Sequence, residues 1–155
     1  MKYTLYMKYT LIALFSVLLM SCSADSSEPV DYVAQNEKDI ANFVAENNLN
    51  AIRTDSGLYY VINEEGTGVK PTYTSNVTIA YKGYFLNGTV FDQSDEVSFD
   101  LQGSIAGWIE GLSYFKEGGS GIILIPSSLA YGDNDSEGIP AGSVLVFVVE
   151  LIKVN

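Results

Sequence analysis

The closing run "VLVFVVELIKV", residues 144–154, constrains the fold of this chain more than any other stretch. Its β-branched residues are stiff at χ1 and suit a pleated, half-buried surface better than a helix. Three further runs, "LYYVI", "VTIAYKGYF" and "GIILIP", share that character and are bounded by clusters of Gly, Pro, Asn and Asp. Four such segments beyond Gly57 predict an antiparallel β-sheet. Between the second and third lies "GWIEGLSYFKEGG", where Trp108, Ile109, Leu112 and Phe115 recur at helical spacing and Gly118-Gly119 mark the stop. An earlier amphipathic helix is predicted over residues 32–49, where Val33, Ile40, Phe43 and Val44 recur among polar residues and Asn47-Asn48 end the pattern. Short helices set against several strands make an α+β domain. The stretch "QSDEVSF" after Phe91-Asp92 reads as a loop, and Val148 reads as an apolar residue on the outer sheet face that is either covered or exposed.

The N-terminus has a different character. Lys2 and Lys8 precede "YTLIALFSVLLMSC", an apolar stretch too short to span a bilayer and closed by small residues, so residues 1–21 read as a secretory signal. Leu19-Met20-Ser21-Cys22 resembles the lipobox of bacterial lipoproteins, which implies lipidation of Cys22 after cleavage. The repeat "MKYTLYMKYTL" leaves Met7 open as an alternative start to Met1. Cys22 is the only cysteine, so no disulfide framework is available and the fold must rest on a core. Residues 22–31 are small, polar and acidic, the composition of a flexible tether. Residues 32–56 then carry the predicted helix and a linker, and residues 57–155 the folded body.

Charge and residue inventory exclude several functions. The chain carries a net charge of −11, and all 19 acids lie beyond Cys22. Such a surface repels phosphate backbones, so nucleic acid is not an expected partner. It also offers no basic face to anionic headgroups, so the membrane connection is expected to be covalent lipid. There is no histidine, which removes the commonest general base and metal ligand, and there is no glycine-rich phosphate motif. The loop "LAYGDNDSEGIPAG" places Asp133, Asp135, Glu137 and Gly138 in the alternation of a calcium loop, but Val144 stands where the bidentate Glu is needed. No cofactor and no metal are therefore expected. What the chain has in excess is aromatic: eleven Tyr, seven Phe and one Trp.

Four blocks carry a resemblance. "VTIAYKGYFLNGTVFDQS", "GWIEGLSYFKEGG", "LIPSSLAYG" and "GIPAGSVLVFVVELIKV" occur in the order and spacing of the FKBP family of peptidyl-prolyl cis-trans isomerases, over about residues 57–155. The resemblance implies an FKBP-like half-wrapped antiparallel sheet of five or six strands with the Trp108 helix across its concave face. It implies a pocket with Trp108 as floor and Tyr81, Phe91, Asp92, Ile105, Tyr131, Ile139 and Phe147 as walls, overhung by the loop between Tyr131 and Ile139. The backbone N–H matching Ile105 and the Tyr131 hydroxyl are the implied hydrogen-bond donors, with Asp92 beside Tyr81. The implied activity is isomerisation of Xaa-Pro bonds, and the implied partners are proline-containing unfolded or nascent exported polypeptides and the family's macrolide inhibitors. Val97, Ser104 and a shortened "LQGSIAGW" depart from the common pattern and put macrolide affinity in doubt. With the lipobox, the expected location is the cell envelope, anchored to a bacterial membrane, the outer one being favoured. A non-catalytic FKBP-like chaperone or peptide-binding lipoprotein is the alternative. Every implied pocket residue lies beyond Thr54, so a chain starting there is expected to keep the fold and most of the activity.

Overall fold

The computed structural model describes residues 30–155; the predicted signal, Cys22 and nearly all of the tether lie outside the described residues. Asp31 opens α1 (Tyr32–Glu46) as an N-cap, its carboxylate accepting from the Val33 and Ala34 N–H groups, both at 3.1 Å. The helix ends where the two asparagines predict. The Asn47 amide turns back to the Phe43 carbonyl at 2.8 Å, and Asn48 takes a φ of +52°, a left-handed conformation that asparagine tolerates well.

Six strands follow: β1 (Ile52–Arg53), β2 (Tyr59–Glu64), β3 (Asn76–Phe85), β4 (Val90–Asp100), β5 (Gly119–Ile125) and β6 (Leu145–Val154). They form one antiparallel sheet in the order β1-β2-β5-β6-β3-β4. Between β4 and β5 run a 3₁₀ turn (Leu101–Gly103) and α2 (Ala106–Leu112). The stretch "QSDEVSF" is not a loop: it is the middle of β4, paired with β3 from Asn76↔Asp100 to Tyr84↔Val90. Two bulges, at Ile79/Tyr81 and Gly83/Tyr84, break the side-chain alternation there. Its acids suit an edge strand, where charge discourages pairing with another chain. α2 likewise stops before Gly118-Gly119, because the Ser113 hydroxyl donates to the Glu110 carbonyl at 2.6 Å and closes the last turn. Gly118, at φ +79°, turns the chain into β5 instead.

Alternation along β5 and β6 sends side chains to two cores. On one face Ile123, Ile125, Leu145, Phe147, Val149 and Leu151 meet α2 through Trp108 and Leu112. On the other, Leu124 and Val146 meet α1 through the fully buried Ile40. Val148, next along that second face, remains 43% exposed. α2 approaches the sheet closely because Gly107 and Gly111 face it. A Cβ at Gly107 would lie 2.2 Å from Ile125 Cγ2, and one at Gly111 2.8 Å from Ile123 Cγ2.

Candidate functional site

Trp108, in the first turn of α2, lies 4.4 Å from the Phe147 ring of β6, centroid to centroid. Tyr81 from β3 and Phe99 from β4 meet it edge-on at 5.7 and 6.0 Å, geometries that aromatic quadrupoles favour. Phe91 packs against the far side of Phe147 at 5.6 Å. This layer depends on Gly83, where a Cβ would lie 2.7 Å from the Phe91 ring and 2.8 Å from that of Phe147.

Above Trp108 opens a cavity of about 370 Å³. Of the residues implied for the pocket, Tyr81, Ile105, Trp108 and Tyr131 line it directly. Phe147 and Ile139, 4% and 7% exposed, stand in the same apolar cluster, with Phe91 packed against it. Asp92 is reached through Tyr81, whose hydroxyl donates to Oδ2 at 2.5 Å, while Oδ1 accepts the Gln93 N–H at 2.8 Å. Desolvation first, then the bond to the Asp92 carboxylate and its charge, push the Tyr81 pKa up to about 12, so the phenol stays protonated through neutral pH.

Two polar groups at the cavity are uncommitted. Among the described residues neither the Ile105 N–H, at the start of α2, nor the Tyr131 hydroxyl has a hydrogen-bond partner. Val97 and Ser104, the two departures noted in the sequence, also line the cavity, as does Phe99. Phe99 is absent from the implied pocket set, because the run "QSDEVSF" that carries it reads as a loop rather than a strand. The acidic loop is folded on itself: Ser136 and Ile139 exchange backbone hydrogen bonds of 3.0 and 2.7 Å around Glu137 and Gly138, both at positive φ. Asp135 accepts the Ala141 N–H at 2.8 Å, which gives that carboxylate a structural task.

The chain is similar to known proteins in both sequence and fold. The profile of the FKBP-type peptidyl-prolyl cis-trans isomerases matches residues 68–152, more than half of the chain. The chain is 42% identical over 109 residues to the FKBP-type isomerase FkpA of Buchnera aphidicola subsp. Baizongia pistaciae, covering 68% of this chain and 43% of that protein. It is 43% identical to FkpA of Escherichia coli strain K12, covering 67% and 40%. The chain thus spans less than half the length of these curated relatives. The crystal structure of Escherichia coli FkpA superposes with a TM-score of 0.67 at 34% identity, covering 96% of this chain and 71% of that one. A peptidyl-prolyl cis-trans isomerase from Pseudomonas syringae superposes with a TM-score of 0.70 at 28% identity, covering 83% and 98%.

Proposed function

The chain belongs to the FKBP-type peptidyl-prolyl cis-trans isomerases, and on that premise we propose that it accelerates Xaa-Pro isomerisation in exported polypeptides. The reaction makes and breaks no bond. Amide resonance holds the imide planar behind a barrier of roughly 20 kcal/mol, and uncatalysed exchange takes tens to hundreds of seconds. The twisted imide separates less charge than the planar one, so a dry aromatic cavity favours it over the ground state. Trp108 is the floor of that cavity, with Tyr81, Phe91, Ile139 and Phe147 fixing its walls. The Ile105 N–H and the Tyr131 hydroxyl then donate to carbonyls flanking proline, while Asp92 holds the Tyr81 ring in place.

The observation that carries this reading is the Ile105 N–H, without a partner among the described residues, beside an aromatic floor. The test is exchange of a short Xaa-Pro peptide, followed by NMR, with the parent and with Trp108→Ala. Acceleration by the parent and a loss of about tenfold or more in kcat/KM for the variant are expected. A parent that leaves exchange at its spontaneous rate would overturn the assignment and favour a non-catalytic chaperone.

The family's macrolide inhibitors are proposed as a second ligand class, with Val97 and Ser104 leaving one wall less filled. Lipidation at Cys22, with tethering in the cell envelope, rests on the sequence alone. Cys22→Ala should then be recovered without detergent; partition with membranes equal to the parent would show another anchor.

A further inference from the structure

We propose that Asn36 of α1 is a positioning residue for the pocket, closing the neck of the loop that holds Ile139 and follows Tyr131. The claim rests on reading that pocket as the peptide site, yet the residue stands on the opposite side of the sheet. Asn36 is 2% exposed, and its amide is hydrogen-bonded at both ends. Oδ1 accepts the Ser127 N–H at 2.7 Å, and Nδ2 donates to the Gly142 carbonyl at 2.9 Å. These partners are themselves linked. The Gly132 N–H donates to the Ser127 carbonyl at 2.8 Å, and the Gly142 N–H to the Gly132 carbonyl at 2.9 Å.

The four residues make a closed ring of hydrogen bonds: Asn36, Ser127, Gly132, Gly142 and back to Asn36. Gly132 and Gly142 are where the acidic loop leaves and returns, so the ring is its neck. Tyr131 lies immediately before the neck and Ile139 within the loop. A side chain carrying both a donor and an acceptor is needed to close such a ring, and within that reach asparagine supplies both. A second contact acts on the same stem. The Tyr32 ring rests on Gly142, where a Cβ would come within 1.9 Å of Cδ1 and where φ is +70°.

Consequently α1, which precedes the segment matched by the family profile, sets how the loop sits over Trp108. The loop's effect falls on peptide capture, so the expected signature is in KM. In Asn36→Leu, KM for a short Xaa-Pro peptide should rise by about 3- to 10-fold with kcat nearly unchanged. Hydrogen exchange, which needs no activity, is the companion measurement on the full chain. The amides of Gly132, Ile139 and Gly142 should exchange about tenfold faster or more, while those of Ile123 and Val149 keep the parental rate. Tyr32→Ala, at a partly exposed site, should show the same pattern more weakly and serves if Asn36→Leu does not fold. Ile40→Val, a packing change on the same helix, should leave the loop amides and KM as in the parent. Parental exchange at the loop in both α1 variants, or equal acceleration in loop and strands, would overturn the proposal, as would a loop-specific effect of Ile40→Val. An inactive parent would instead sink the isomerase reading, while the exchange pattern still decides the role of Asn36.

Discussion

Tyr81 and Asp92 hold a short hydrogen bond at the cavity wall, and its chemistry predicts a pH dependence. An unperturbed tyrosine loses its proton near pH 10, whereas folded Tyr81 holds it to about 12. The unfolded chain therefore ionises first. Stability from this raised pKa is complete below pH 10 and is lost as pH climbs towards 12. Tyr81→Phe should flatten that part of the alkaline limb, measured as denaturation midpoints against pH beside the parent. Identical limbs would show that Tyr59, Tyr84 and Tyr114, whose protons are also held more tightly, account for it. Below pH 10 the same argument leaves the phenol neutral, so it predicts no inflection in activity from Tyr81 near neutrality. At this scale the sequence was informative about the aromatics and silent about Asn36. An asparagine in an amphipathic helix reads as a solvated residue, and nothing local announces that its partners are 91 and 106 positions away.

Elements were legible where burial left a periodic trace. The strongly apolar strands β2, β3, β5 and β6 and both helices could be read from their spacing. β4 could not, because an edge strand broken by two bulges keeps neither alternation nor an apolar run. β1, two residues long, is set by pairing of Ile52 with Tyr60 and has no pattern to detect. In α2 the large residues stand out in the sequence and the small ones do not. Gly107 and Gly111, four apart, share the face that touches β5 and determine how deep Trp108 sits. Gly107→Ala should force α2 outward or Ile125 off its rotamer, at about 1–3 kcal/mol by the usual cost of overpacking. Urea denaturation would measure that loss, and Trp108 fluorescence would report the displaced floor. A variant as stable as the parent with an unshifted spectrum would mean that the contact relaxes freely.

For the molecule as a whole, the two cores make α1 part of the folded unit Asp31–Asn155. Ile40 covers Tyr59, Leu124, Val144 and Val146, and Glu37 binds both Arg53 and the Tyr59 hydroxyl at 2.8 Å. This packing argues against a shortened chain from Thr54 folding unimpaired. Such a chain should melt well below the parent, since losing one buried side chain like Ile40 alone costs about 2–5 kcal/mol. An unchanged melting temperature would make α1 an appendage. The strand order has a further effect, on timing. β6 alone joins β1-β2-β5 to β3-β4, so the two partial sheets share no ladder until the last strand is in place. Pairs such as Val77 with Val154 span almost the whole folded body, so joining the two halves is a long-range event that local contacts cannot prepare. Until β6 docks, the edges of β5 and β3 that it covers stay unpaired, and refolding from denaturant should wait on that single long-range step.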